Sequence, residues 1–66
     1  MCLSTVYKGT TPTDDAKLAE YITNIEIDEA AGTVRLYDIT GETRDYKARL
    51  RSVDLIKNTA FLDLTQ

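Results

Sequence analysis

Cysteine occurs once in the sequence, at position 2, directly behind Met1 in "MCLSTVY", and histidine does not occur at all. A thiol at a chain end can do chemistry that an internal one cannot. With Met1 removed, Cys2 presents its α-amine beside its thiolate. With Met1 retained, its deprotonated amide nitrogen takes the same place. Either way a single residue supplies N and S to a five-membered chelate ring. Two copies meeting at a dimer axis would complete an N₂S₂ donor set, which suits square-planar Ni(II) or Cu(II), while thiolate favours softer metals. Such a site needs no imidazole. The bland reading is that Cys2 is a small apolar residue on a first strand, since free cysteines are often buried. A third reading is a redox-active thiol that bridges two chains, which needs the two Cα atoms within about 7 Å.

Other chemistries are more restricted. Without histidine there is no Ser-His-Asp or Cys-His nucleophile and no zinc site that uses imidazole. One cysteine excludes an intrachain disulfide and an intrachain multi-cysteine zinc site. Gly9, Gly32 and Gly41 are far apart, so no glycine-rich phosphate loop exists, and each suits a turn. The acid pairs Asp14-Asp15 and Asp28-Glu29 fall in expected loops, whereas general acid–base work needs an enclosed pocket. The expectation is a protein that is not an enzyme.

Tyr7, Tyr21, Tyr37 and Tyr46 could offer stacking platforms to single-stranded nucleic acid. Arg44, Lys47, Arg49 and Arg51 lie close together in the sequence, but Glu42, Asp45 and Asp54 are interspersed among them. With 11 acidic and 8 basic side chains the net charge is -3, which argues against a phosphate backbone as partner and for a solvated mixed-charge face. The alternative from a different class is a small barrel-like interaction module that binds RNA or a partner protein, with Cys2 structural.

The elements that must position these residues are few. A chain of 66 residues is one small domain, 1–66. It buries only about 60% of the surface its unfolded chain exposes, so it is marginal alone. Small scaffolds of this kind need a disulfide, a metal or a partner subunit, and with one cysteine the expectation is a homodimer. No stretch resembles a signal peptide or approaches the roughly 20 apolar residues of a membrane span. The expected location is cytoplasmic, where a free thiol stays reduced.

Strand signals fill the sequence. "CLSTVYK" (2–8) is rich in β-formers, and "ITNIEID" (22–28) alternates Ile25 and Ile27 with polar residues. "EAAG" then turns the chain, with Gly32 free to take a positive φ. "TVRLYDI" (33–39) places Val34 and Leu36 on one face, and Gly41 serves the next turn. "TRDYKARL" sets Tyr46, Ala48 and Leu50 against Arg44, Lys47 and Arg49. "SVDLIK" reads as a further strand with Val53 and Leu55 on one side. "TAFLDLT" closes with Ala60, Leu62 and Leu64. In "TTPTDDAKLAEY", Thr11, Pro12, Asp14 and Asp15 form a helix-start signal. The segment is short, so the expectation is a loop with at most a short helical turn near residues 12–19; the other reading is an approach to an edge strand at "LAEYI". The predicted fold is all-β: a small antiparallel, strongly bent sheet or partly open barrel of five to six short strands.

"MCLSTVY", "IEIDEAAGTVRLYDITGE" and "SVDLIKNTAFLDL" together resemble the CooT-type small nickel-binding proteins, accessory to nickel carbon-monoxide dehydrogenase. The resemblance covers nearly the whole chain. Its sharpest element is the Met1-Cys2 start; the Asp28…Gly32-Thr33-Val34 hairpin, Gly41 and "VDLI" are generic strand features. The stretch from Thr10 to Glu20 carries least of the pattern. The resemblance implies a dimeric β protein in which Cys2 of each chain ligates one shared Ni(II), with main-chain nitrogen of Met1 or Leu3 nearby. It also implies a nickel-enzyme client, and thus a metallochaperone or nickel store.

Overall fold

Apolar and polar residues alternate through the chain, and the runs that alternate are strands. The computed structural model describes residues 3–65. They form β1 (Ser4–Lys8), a 3-10 turn (Asp14–Ala16), β2 (Lys17–Asp28), β3 (Thr33–Asp38), β4 (Thr43–Asp54) and β5 (Thr59–Leu64). The strands follow one another around a single sheet in chain order, and β1 and β5 meet to close it into a barrel. The all-β expectation is borne out. Four joints are antiparallel. The closing joint, from Thr5 opposite Thr59 to Lys8 opposite Leu62, is parallel. An odd number of up-and-down strands requires this, because the first and last run the same way. Closure also removes the open edge that a bent sheet would leave on β1 and β5.

The two twelve-residue strands each serve two neighbours in turn. β2 pairs with β1 from Lys17 to Ile22 and with β3 from Ile22 to Asp28. β4 pairs with β3 from Thr43 to Lys47 and with β5 from Ala48 to Asp54. Irregularities in register sit where these strands must bend: between Ser4 and Val6 on β1, Ile22 and Asn24 on β2, and Leu50 and Ser52 on β4. An extra residue on one strand bends it and increases its twist. Tyr21, opposite the first of these, has φ +59°. For a residue with a Cβ this left-handed geometry costs roughly 1–2 kcal/mol, and the ladders on both sides of Tyr21 hold it there.

Three boundaries differ from the expectations. "TRDYKARL" and "SVDLIK" are one strand, because the irregularity around Arg51 lets β4 bend without breaking. Leu55 is therefore not a strand residue beside Val53; it opens a turn in which the Asp54 carboxylate accepts the N–H groups of Ile56 and Lys57, both at 3.0 Å. β2 begins at Lys17, so "LAEYI" is strand, as the other of the two readings had it, and the expected short helical turn is the 3-10 turn Asp14–Ala16. Its N-cap is Thr13, without a side-chain cap bond, and Thr11 and Pro12 precede it. The expected first strand, 2–8, is described from Ser4.

Val6, Ala19, Ile22, Val34, Leu36, Ala48, Ala60 and Leu62 form the core, with Leu18, Ile25, Tyr46 and Leu50 packed against it. Among the described residues no polar side chain is buried. Alanines at 19, 48 and 60 let opposite walls of so narrow a barrel approach, leaving Leu36, Leu62, Val6 and Val34 to fill the interior. Gly32 and Gly41 take φ +68° and +89° in the β2–β3 and β3–β4 turns, as their positions led one to expect.

Candidate metal centre

Cys2, the one predicted metal ligand, lies outside the described residues, as does Met1. What the structure describes is the ground from which that segment departs. Leu3 is half-buried and leads into β1. Ser4 is opposite Ile22, and the Thr5 N–H donates to the Asn58 carbonyl at 3.0 Å. One residue further on, Val6 is fully buried. The start of β1 is thus held on both sides, by β2 and by the β4–β5 turn, within a few residues of the thiol. Asn58 reaches its position at φ +53°, a left-handed geometry that asparagine tolerates better than most residues.

Two carboxylates at this end of the barrel, Asp38 and Asp54, are already engaged. Asp38 accepts the Thr40 hydroxyl at 2.5 Å and the N–H groups of Thr40 and Glu42 at 2.8 and 3.2 Å. The Thr40 hydroxyl, followed by those two N–H donors, holds its pKa below the ordinary carboxylate value of 3.8. Asp54 is occupied by the turn it caps. Among the described residues no three His, Cys, Asp or Glu side chains converge as a metal cluster.

The other candidates are dispersed. Asp14 lies 3.7 Å from the Lys17 ammonium, and Asp15 is held below its usual pKa chiefly by the Thr13 hydroxyl. Asp28 caps the β2–β3 turn by accepting the Ala31 N–H at 3.0 Å. The basic run on β4 is not one free stripe. Arg44 donates to the Leu18 carbonyl and Lys47 to the Ala31 carbonyl, while Arg51 pairs with Asp63 at 3.1 Å. Arg35 forms a two-pronged pair with Asp45 at 2.7 and 3.0 Å. The tyrosines do not share a platform either. Tyr7 stacks on Phe61 with centroids 5.6 Å apart, Tyr37 donates to Glu26 at 2.5 Å, Tyr46 points at Leu18, and Tyr21 is exposed.

One feature of this end was not visible in the strand pattern. Leu55 and Ile56, in the turn that receives the start of β1, are 83% and 93% exposed. The signal that they leave the sheet was the Asp54…Asn58 pair, two residues that favour turns through their own side chains. No helix among the described residues is long and apolar enough to cross a membrane.

Architecture and donor set together define a small closed β-barrel whose candidate chemistry rests on one thiol ahead of its first strand. The family described as CO dehydrogenase accessory protein CooT matches residues 1–63, and the chain belongs to that family. Membership gives it an accessory role toward CO dehydrogenase. No curated protein matches the chain.

Proposed function

We propose that this protein is a nickel carrier or store without catalytic activity of its own. It acts as a homodimer in the cytoplasm, binding one Ni(II) between the Cys2 thiolates of its two chains and passing the metal to a nickel enzyme such as CO dehydrogenase. The observation that carries this reading is the family match, which spans the Met1-Cys2 start as well as the barrel. The dispersal of every other ligand type among the described residues supports it. So does the anchoring of β1 by Thr5 and Val6, which gives the ligand-bearing segment a fixed origin. A donor set at a chain end can open by moving a few residues, and a carrier must release its metal.

The test is a Ni(II) titration of the reduced protein, followed by ultraviolet–visible absorption, with Cys2→Ala in parallel. Saturation at about one nickel per two chains, with thiolate-to-metal bands absent from the variant, is the expected result. Undiminished binding by Cys2→Ala, or no binding by the unmodified protein at micromolar metal, would overturn the proposal.

A further inference from the structure

Among the described residues five take a positive φ, and three of them, Gly9, Gly32 and Gly41, are glycines. The other two are Tyr21, at +59°, and Asn58, at +53°. Both lie against the first two residues of β1. Ser4 is opposite Ile22, the neighbour of Tyr21, and the Thr5 N–H donates to the Asn58 carbonyl at 3.0 Å. From Ser4 to Val6 the register on β2 moves from Ile22 to Ala19, so β2 has one residue more than β1 over this stretch. Tyr21 lies in that bulge. The other end of β1 is held without strain. There the Gly9 N–H donates to the Leu62 carbonyl at 2.9 Å, and Gly9 takes its φ of +81° with no Cβ to oppose it.

Burial divides β1 at the same point. Val6 is fully buried, whereas Leu3, Ser4 and Thr5 are only half-buried. Detaching Ser4 and Thr5 therefore uncovers little apolar surface, while Val6 keeps the rest of the strand in the core. Detachment also removes one of two holds on Tyr21. The other is the Ile39 N–H, 3.0 Å from the Tyr21 carbonyl. Left-handed geometry is unfavourable for a residue with a ring, so the closed arrangement carries a strain that the open one sheds.

We propose that Ser4–Thr5 is a hinged strap. It opens from the barrel as a local unit with Val6–Lys8 still paired, and the left-handed geometry of Tyr21 sets how readily it does so. Local openings of this kind are drawn from the parts of a fold that bury least apolar surface. Cys2 stands two residues ahead of Ser4 in the sequence, so an opening strap lets a carrier release its metal without unfolding the barrel. That use rests on the function proposed above; the strap itself needs no metal.

The experiment is amide hydrogen exchange of the metal-free protein, resolved by residue with NMR, in a series of urea concentrations below the unfolding transition. Tyr21→Asn and Tyr21→Val are measured beside the unmodified chain. Asparagine accepts the left-handed geometry more readily than tyrosine, and valine less readily. Tyr21 is exposed, and circular dichroism checks that each variant folds. In the unmodified chain the Thr5 amide should exchange at a rate nearly independent of urea, because a local opening exposes little surface. The slowest amides of the barrel should quicken with urea along the slope of global unfolding. Tyr21→Asn should slow exchange at Thr5 about two- to fivefold, and Tyr21→Val should speed it by a similar factor. Exchange at Thr5 that follows the global slope would overturn the inference. So would a urea-independent rate that neither substitution moves, since the strain would then play no part. With no nickel present, either result leaves the titration of Cys2→Ala to decide the metal site separately, and loss of the metal site leaves the strap standing.

Discussion

Arg44 on β4 donates from Nη1 to the main-chain carbonyl of Leu18 on β2, 2.9 Å away, and the Tyr46 hydroxyl lies 3.4 Å from the same oxygen. The β2–β3 ladder ends at Ile22, so Leu18 lies beyond its reach. Two side chains from the next strand but one supply the donors that a strand would have supplied. An obligatory main-chain acceptor is satisfied across a seam in the barrel.

Arg44→Ala is expected to lower stability by about 1 kcal/mol, the net worth of one hydrogen bond with a partly exposed acceptor. Urea unfolding followed by circular dichroism checks this, and an unchanged midpoint would mean that water or Tyr46 replaces the guanidinium fully.

The core predicts a harsher result. Leu36 and Leu62 are fully buried and are the largest side chains of the interior with no exposed surface. Truncating a buried leucine to alanine costs about 2–5 kcal/mol. A domain of this size has on the order of 3–10 kcal/mol in all. Leu36→Ala should therefore remove a large share of that stability, visible as a urea-unfolding midpoint far below that of the unmodified chain. Leu55→Ala, at an exposed turn position, should leave the fold intact.

Strain at Tyr21 gives a prediction of the opposite sign. Its φ of +59° suits asparagine or glycine better than a residue with a ring. Because the side chain is exposed, Tyr21→Asn should raise the unfolding free energy by about 0.5–1 kcal/mol. A loss instead would show that the ring contributes packing that outweighs the backbone cost.

Acid should destabilise the fold through Asp38 and Asp45. Both carboxyl groups are held below 3.8, the first mainly by the Thr40 hydroxyl and the second mainly by Arg35. Below that value the unfolded chain takes up the proton more readily than the folded one. The stabilisation is therefore fully present above the unfolded pKa and disappears as pH falls through the folded one. Asp38→Asn should be less stable at neutral pH and show a shallower loss below pH about 4. A melting series across that range, for the variant and the unmodified chain, reads this directly.

Much of the fold was legible because side-chain alternation has only one partner geometry. Val34 with Leu36 and Ala60 with Leu62 sit two apart, and all four are buried. Gly32 and Gly41 marked turns that need positive φ. The seam at Arg51 was not legible. There the alternation shifts by one residue, which reads as a break between strands when it is a bend within one. At Leu55 and Ile56, apolar type suggested a strand face, but the Asp54 side chain captures two main-chain N–H groups and turns the chain away.

The sequence by itself determined the class of fold, the single thiol and the absence of any histidine, because these follow from composition and local period. It also carried the family, whose match extends over residues 1–63. Tertiary structure alone decided that five strands close into a ring through a parallel joint, that β2 and β4 each bridge two neighbours, and that Ile27 and Val53 stand half-exposed on an inward face. Local pattern records which way a side chain points from its own strand. Whether another strand lies over it depends on pairings between residues far apart in the chain, and those exist only once the barrel has closed.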